Sequence, residues 1–468
     1  MFKPLMLKGV DEIHTKKMSE RYNPNPAQIL VLGFAAIILA GAILLSLPEA
    51  SSNGQSVGIV NAIFTATSAV CVTGLVVGDT ASYWTVFGKG VILFLIQVGG
   101  LGFMTMTTLI ALLVGRRISL KERLLMQEAL NQFTISGVVR LTKNIIIATM
   151  AIETIGAVLL SFRFVPMYGW GKGVGFAVFH SVSAFCNAGF DLMGNYGSLT
   201  SFSGDALVTL SIGFLIILGG LGFTVLVDLF EFGTAKNRID RKFSLHSKLT
   251  LYITGILICA SFVLILAFEF NNPQTMGNFS GGEKVLSAMF HSVTPRTAGF
   301  NTVSMGESTI STKFLTIILM FIGGAPSSTA GGIKVTTFGV LIFTIFSMAN
   351  GRDETEIFKR RIPRDIVNRA LAVASVSLSV VITGAMLLSL TESGVDFMDI
   401  LFETTSAFGT VGLSLGLTPD LSQSGKIIIA FIMFIGRLGP MTLAVAVAQK
   451  QQKRKAFIKY PEGKVSVG

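Results

Sequence analysis

Charged residues are scarce in this chain: they make up 13% of its 468 residues, whereas soluble domains contain about 25%. Hydrophobic residues make up 51%. This balance excludes an ordinary soluble domain and predicts a polytopic membrane protein. Cysteines are also few. Cys71, Cys186 and Cys259 lie far apart and form no CxxC pair, which argues against a disulfide framework or a zinc site.

Motifs for nucleotide chemistry and for catalysis are missing as well. Neither GxxxxGK[ST] nor a GxGxxG between a strand and a helix occurs, so nucleotide control would have to come from another polypeptide. A membrane enzyme would need clustered acidic, histidine or nucleophilic residues in its helices, and the four histidines are scattered. We therefore expect a protein that is not an enzyme and that carries no cofactor of its own.

Glycine is abundant, with 50 residues, and four glycines end copies of one short, semi-polar segment. These glycines lie 115, 110 and 113 residues apart, and a period of this size indicates one supersecondary unit used four times. The copies are Phe64–Leu75, Phe179–Phe190, Phe290–Phe300 and Phe402–Leu413. Their final glycines are Gly74, Gly189, Gly299 and Gly412.

The surroundings of each copy predict its place in a membrane. Apolar segments of about 20 residues, long enough to span, flank each copy, and the segment that leads into each glycine is too short to span. We expect an all-α polytopic membrane protein with eight spanning helices and four re-entrant pore helices around a pseudo-fourfold pore. The four predicted repeats are residues 29–114, 144–230, 249–348 and 366–448. Their second spanning helices are predicted at Val91–Val114, Leu207–Phe230, Phe314–Met348 and Lys426–Ala448.

The basic residues agree with this arrangement. Of the 37 Lys and Arg residues, 28 fall in segments 1–28, 115–143, 231–248, 349–369 and 449–468. All five segments lie on one side if every repeat crosses twice, and the positive-inside rule places that side in the cytoplasm. We expect a multi-pass protein of the cell membrane, with a cytoplasmic N-terminal segment (1–28) and a cytoplasmic tail (449–468). The net charge of +11 follows from topology, so no nucleic-acid partner is expected.

The four turns predict a selectivity filter. Non-helical backbone at membrane depth must be buried in protein or line a water-filled cavity, and backbone carbonyls there can replace the hydration shell of K⁺. No carboxylate occurs in the turns, which favours a monovalent cation over calcium. The fourth copy matches the first three residues of the TVGYG potassium filter, and no copy continues with Tyr-Gly. The predicted filter residues are Val72, Thr73, Gly74, Asn187, Ala188, Gly189, Thr297, Ala298, Gly299, Thr410, Val411 and Gly412.

An interruption of the second helix in the third repeat predicts a gate below this filter. Pro326 and four glycines disfavour a helix there. The equivalent positions of the other repeats are Gly99-Gly100, Gly219-Gly220 and Gly436-Arg437, and we expect only the third repeat to expand this pair into a loop. The predicted gate residues are Gly323, Gly324, Ala325, Pro326, Ser327, Ser328, Thr329, Ala330, Gly331, Gly332 and Lys334. An intramembrane arginine, Arg437, indicates function by default. It is predicted at the pore constriction, and its role stays open between a positive barrier, an anchor for the loop and pairing with helix-end carbonyls.

Three segments carry a resemblance to a known family. They are Thr-Pro-Arg-Thr-Ala-Gly-Phe-Asn at 294–301, Phe-Ile-Gly-Arg-Leu-Gly-Pro at 434–440 and Tyr-Pro-Glu-Gly at 460–463. With the fourfold plan and the Gly/Ser/Thr-rich loop, they resemble the Trk/Ktr/HKT superfamily of potassium transporters. The likeness is closest to the KtrB-type membrane subunits of bacterial Ktr systems, and it covers the chain from about residue 25 onward.

The resemblance implies potassium uptake through one pore per protomer, a homodimer in the lipid bilayer, and frequently stimulation by Na⁺. It also implies a cytosolic ring of KtrA-type RCK subunits, which bind the regulatory nucleotide. In the family the filter glycines set selectivity, the loop matching 323–334 gates the pore, and the arginine matching Arg437 lies nearby. One departure is a residue missing between Phe290 and Gly299, which leaves the register of the third pore helix open.

A secondary cation transporter with a midplane binding site is the alternative. Such transporters have discontinuous helices, usually with inverted repeats, and would be expected to hold intramembrane carboxylates. The four units here run in the same direction and their turns are neutral, which favours the filter. Coupling of transport to Na⁺ or to the membrane potential alone stays open.

Overall fold

The structure is a computed structural model that describes residues 26–102, 105–106, 108–109, 111, 118–129, 137–234 and 243–443. The predictions for the N-terminal segment up to residue 25 and for the tail beyond residue 443 lie outside these residues. The described chain is mostly helical. Two short antiparallel strands, β1 (Glu356–Ile357) and β2 (Arg360–Arg361), form a hairpin between two of the helices.

Long helices are separated by runs of shorter ones along the chain. In order they are α1 (Pro26–Leu45), α2 (Ile59–Cys71), α3 (Thr80–Tyr83), α4 (Val86–Leu101), α5 (Leu120–Ala129), α6 (Val138–Tyr168), α7 (Trp170–Phe185), α8 (Ala206–Leu221), α9 (Phe223–Thr234), α10 (Leu245–Glu269), α11 (Gly281–Val293), α12 (Ile310–Phe321), α13 (Val335–Ala349), α14 (Arg364–Thr391), α15 (Phe397–Gly409) and α16 (Gln423–Leu438).

The long helices α1, α6, α10 and α14 are apolar enough to cross a membrane by length and composition. Each begins two to six residues before the start of its predicted repeat, at residues 29, 144, 249 and 366. Large apolar side chains on them are exposed, among them Leu39, Phe162, Val263 and Leu390. A helix that is apolar on its exposed side as well as its buried side belongs in lipid, so the fold is that of a multi-pass membrane protein.

The second helices differ from the expected continuous spans. Helices α4, α8 and α16 each stop after 16 residues at a glycine with positive φ: Gly102 (+83°), Gly222 (+85°) and Gly439 (+82°). At Gly222 the axis turns by 103° between α8 and α9. A glycine with positive φ is a common helix terminator, so the expected continuous second helices of these three repeats were wrong. Gly99-Gly100 and Gly219-Gly220 stay helical in α4 and α8, and within the described residues only the third repeat opens its glycine pair into a loop. In the described residues four helices qualify as spans, or five if the bent pair is one span; eight crossings stay a prediction.

The short helices α2, α7, α11 and α15 lie in the interior and match the segments predicted to lead into the glycines. Their C-terminal halves are almost wholly buried, including Phe64, Phe185, Phe290 and Phe402. These phenylalanines pack into three hydrophobic clusters of the interior. Each helix therefore carries its C-terminal end to the middle of the molecule.

The third short helix accommodates its missing residue at its end. In the other three copies the residue before the glycine donates its N–H to a carbonyl five residues back, as Val411 donates to Ser406 at 2.9 Å. In the third copy Ala298 donates to Thr294, four residues back, at 3.0 Å. One tighter turn absorbs the deletion, so the register left open by the sequence is now assigned.

Candidate functional site

Each short helix ends in the same unusual backbone turn. The residue two positions before the glycine is left-handed in all four copies: Val72 (φ +58°), Asn187 (+58°), Thr297 (+71°) and Thr410 (+50°). Positive φ is uncommon for residues other than glycine, and a β-branched residue there is strained. The glycines that follow also have positive φ, from +69° to +91°. The repeated segment of the sequence thus corresponds to a repeated local conformation.

The four turns meet in a closed ring, which we call the glycine ring: Gly74, Gly189, Gly299 and Gly412. A methyl group on Gly74 would overlap the carbonyl oxygen of Ala188 in the next copy. A methyl group on Gly189 would lie 2.7 Å from the Ala298 oxygen, and one on Gly299 would lie 2.5 Å from the Val411 oxygen. One on Gly412 would overlap the Thr73 oxygen, which returns to the first copy. Only glycine permits so close a backbone approach.

The ring joins the predicted filter residues of all four copies, and every side chain in it is neutral. Thr73, Ala188, Ala298 and Val411 are fully buried. Among the described residues, no group of His, Cys, Asp and Glu could hold a metal ion. The polar groups at the ring are therefore neutral ones, backbone carbonyls and threonine hydroxyls.

Two histidines occupy matching positions, each directly after the first phenylalanine of its copy: His180 in the second copy and His291 in the third. His180 is fully buried, its Nδ1 lies 2.7 Å from the Phe176 carbonyl, and its Nε2 accepts the N–H of Leu192 at 3.2 Å. These contacts require a neutral imidazole with its proton on Nδ1. His291 contacts Thr316 at 3.3 Å through Nε2. His180 thus fastens the segment that follows the second turn, in agreement with a structural role.

Two of the buried carboxyl groups, those of Glu403 and Glu153, contact residues of the four copies and were not assigned a role from the sequence. Glu403 occupies the position of His180 in its repeat and accepts hydrogen bonds from Ser414 at 2.7 Å and from Thr418. Aligning the four copies shows this equivalence, so a signal existed. Glu153, on α6, accepts from Gln97 at 3.1 Å and faces the Cys186 sulfur at 3.8 Å. No repeat pattern marks Glu153, and only the fold brings it behind the second turn.

The loop between α12 and α13 is irregular, as predicted. It is pinned at its base where Gly323 donates to the Ile333 carbonyl at 2.8 Å. It is also bonded to the second repeat: Ala325 donates to the Gly220 carbonyl at 2.9 Å, and Phe223 donates to the Ser327 carbonyl at 3.0 Å. The break after α8 supplies these partners, so the bend at Gly222 and the loop fit together.

The tip of the loop lies against the ends of two short helices, directly beside the glycine ring. The Thr329 hydroxyl donates to the carbonyl of Phe185 at 3.3 Å. A methyl group on Gly331 would overlap the Thr410 hydroxyl and lie 3.1 Å from the Gly409 carbonyl oxygen. The loop therefore touches the second and fourth turns at once.

Arg437 ties this loop to the rest of the molecule. Its guanidinium donates to the carbonyls of Thr329 in the loop and Gly99 on α4, and it approaches the Gly100 carbonyl at 3.4 Å. Lys334 donates to the Ala330 carbonyl at 2.7 Å. The ion pairs found in the described part of the chain involve neither of these cations. Arg296 points to Thr254 on α10, at 3.3 Å, and so lies outside the ring.

Comparisons with known proteins agree with this geometry. The TrkH family model, described as a cation transport protein, matches residues 4–457. The chain is 47% identical over 443 residues to the Ktr system potassium uptake protein B of Bacillus subtilis, covering 95% of this chain and 97% of that protein. It is 42% identical over 457 residues to the potassium/sodium uptake protein NtpJ of Enterococcus hirae, covering 97% of this chain and 99% of that protein.

A solved structure shows the same fold. The potassium transporter TrkH from Vibrio parahaemolyticus matches with a TM-score of 0.71 at 19% identity, over 91% of this chain and 85% of the other. The relatives are named as transport proteins, and the chain is a transporter rather than an enzyme. By family model and by sequence identity it belongs to the TrkH family of cation transport proteins.

Proposed function

We propose that this protein takes up potassium ions across the cell membrane and that the glycine ring is its selectivity filter. The observation that carries the proposal is the closure of the ring: four turns from four repeats place backbone oxygens around one point. Carbonyl oxygens arranged in this way replace the hydration shell of K⁺. Two relatives above 40% identity are named as potassium uptake and potassium/sodium uptake proteins, which supports the choice of ion.

The proposed architecture places the four repeats about a pseudo-fourfold axis, with eight crossings and both termini in the cytoplasm. Each turn supplies a single glycine, so the filter is short and holds fewer strong sites than a TVGYG filter. The segments carrying most of the basic residues then lie on the cytoplasmic side, as the positive-inside rule requires.

In this proposal the loop at 323–334 is the gate. It lies against the second and fourth turns, and irregular backbone at membrane depth is tolerated where it lines a cavity. Arg437 holds the loop closed by bridging Thr329 to Gly99. Of the roles left open by the sequence, these contacts favour the anchor.

The proposed assembly is a homodimer with a cytosolic, nucleotide-binding ring of KtrA-type subunits on its basic cytoplasmic face. The absence of nucleotide motifs in this chain and the Ktr system name of a relative support a separate regulatory subunit. The name of the Enterococcus relative supports an influence of Na⁺ on transport.

The filter assignment is tested by Gly299→Ser. Because a side chain at Gly299 meets the Val411 carbonyl at 2.5 Å and the glycine has φ +81°, the carbonyls must move. We expect preference for K⁺ over Na⁺ to fall about tenfold or more, since a distortion of about 1.4 kcal/mol corresponds to a factor of ten. Uptake of K⁺, Rb⁺ and Na⁺ is measured in a bacterial host deficient in potassium uptake.

The matched control is Gly282→Ser on α11 of the same repeat. Gly282 has no atom within 4 Å of the added carbon, so selectivity should stay at the wild-type value. Unchanged discrimination in Gly299→Ser would contradict the filter assignment.

A secondary cation transporter is the second candidate, and one observation favours it. The breaks after α4, α8 and α16 and the loop after α12 interrupt the second helix of each repeat. Discontinuous helices of this kind occur in transporters with midplane binding sites. When a Na⁺ gradient is imposed on proteoliposomes, a coupled transporter would accumulate K⁺ above the concentration ratio that the membrane potential sets at equilibrium. A filter pore without coupling would stop at that ratio.

A further inference from the structure

One hydroxyl group stands behind each turn of the glycine ring, at the same place in every copy. These residues, which we call the rear hydroxyls, follow the first phenylalanine of the copy by four positions: Ser68, Ser183, Thr294 and Ser406. All four are fully buried. Equivalent positions on equivalent helices would be expected to make equivalent contacts.

The contacts are of two kinds. In the first and fourth copies the hydroxyl oxygen accepts from the ring glycine: Gly74 N–H to Ser68 and Gly412 N–H to Ser406, both at 3.1 Å. In the second and third copies the hydroxyl donates to the carbonyl of the residue after the glycine. Ser183 donates to the Phe190 oxygen at 2.7 Å, and Thr294 donates to the Phe300 oxygen at 2.5 Å.

The second kind of contact turns a carbonyl toward its own short helix. The carbonyls of Phe190 and Phe300 are each engaged by a buried hydroxyl of their own copy. The corresponding carbonyls belong to Leu75 and Leu413, and within the described residues no hydrogen bond reaches either oxygen. The copies with engaged carbonyls, the second and third, are neighbours in the ring, because Gly189 contacts Gly299.

We propose that the layer of the filter just beyond the glycine ring binds K⁺ from one side only. The carbonyls of Leu75 and Leu413 coordinate the ion. Those of Phe190 and Phe300 are hydrogen-bonded to Ser183 and Thr294 and do not coordinate it. Water molecules complete the coordination on that side of the ion. Ser183 and Thr294 are then positioning residues that set affinity at this layer. The inference rests on the proposed filter function.

The test is the double variant Ser183→Ala, Thr294→Val, which removes both donors with little change in volume. The freed carbonyls can contribute to the ion, so we expect the apparent KM for K⁺ uptake to fall about three- to tenfold, the equivalent of one ordinary hydrogen-bond contribution. Maximal rate should change less than twofold. A loss of packing alone would lower the maximal rate and would not tighten K⁺ binding.

Two controls separate the withheld carbonyls from general effects. Ser183→Thr with Thr294→Ser keeps both hydroxyls and should keep the wild-type KM. Ser68→Ala with Ser406→Ala removes acceptors instead of donors, and it should not lower the KM. An unchanged or raised KM in the donor double variant, or an equal fall in the acceptor double variant, would overturn the proposal.

A second measurement does not depend on transport. The K⁺ concentration that gives half-maximal protection against thermal unfolding of the purified full chain should fall by the same factor in the donor variants. The single variants Ser183→Ala and Thr294→Val are measured in parallel. If the double variant does not fold, the two single variants still test the proposal. If Gly299→Ser changes selectivity while the donor variants leave both constants unchanged, only this inference fails. If Gly299→Ser leaves selectivity unchanged, the filter itself fails.

Discussion

If the loop at 323–334 is the gate, as proposed, replacing Arg437 tests whether an anchor or a positive charge keeps it closed. The guanidinium joins the Thr329 carbonyl of the loop to the Gly99 carbonyl of α4. Arg437→Ala removes both bonds and the charge. Arg437→Lys keeps the charge and can hold one carbonyl, because a single ammonium lacks the fork of the guanidinium.

The size of the effect follows from these contacts. A net hydrogen bond to a charged group contributes about 1.5–3 kcal/mol, so two contribute about 3–6 kcal/mol. Water that hydrogen-bonds to the released carbonyls recovers part of this free energy, so we use the lower end of the range. About 3 kcal/mol shifts the closed-to-open ratio of the loop about 100-fold toward open for alanine, and about 1.5 kcal/mol shifts it about tenfold for lysine.

The assay is K⁺ flux into proteoliposomes that contain the purified membrane chain without any cytosolic partner. We expect both variants to raise the flux, with alanine above lysine and lysine clearly above wild type. Lys426→Ala is the matched control, because it removes a positive charge from the opposite end of the same helix, α16. If Arg437 acted as a positive barrier, lysine would behave as wild type. Unchanged or reduced flux in both variants would refute the anchor.

Two further substitutions probe the supports of the ring. A methyl group on Gly99 would overlap the Val70 carbonyl, whereas Gly90 on the same helix has no atom within 4 Å. Gly99→Ala should therefore lower stability by about 1–3 kcal/mol, and Gly90→Ala should raise it by up to about 1 kcal/mol. Both effects are measured by thermal unfolding in detergent. Equal melting temperatures of the two variants would contradict the packing argument. Glu403→Gln keeps one of two acceptor oxygens and should unfold at a temperature between wild type and Glu403→Ala, which loses both and leaves a buried cavity. If glutamine and alanine unfold together, the two hydroxyl contacts contribute nothing to the turn.

Much of the local structure could be read from the chain because its causes are local. The long helices were placed within a few residues because the length of an apolar run is set by the bilayer. The ends of the short helices were placed because a repeated glycine marks a left-handed turn. The spacing of the four copies then predicted that their turns belong together, and the ring of Gly74, Gly189, Gly299 and Gly412 agrees with this.

Other features were not predictable because one residue type serves two purposes. Gly99 packs against a short helix, and Gly102, three residues later, ends α4. Both are glycines in an apolar run, and the sequence does not distinguish close packing from a helix terminus. The expected continuous second helices were wrong for this reason. Glu153 was not assigned because its partners come from other helices.

By itself the sequence predicted a membrane-embedded helical protein, four repeated segments, the position of each turn and the neutral character of the proposed filter. Those properties depend on composition, run length and spacing, which are carried within a few dozen residues. The tertiary structure alone decided what each turn touches. It brought Arg437 to a carbonyl 338 positions away, and it gave four equivalent hydroxyls two different partners. Contacts of this kind depend on how separate segments pack in three dimensions, and no local pattern in the chain records that.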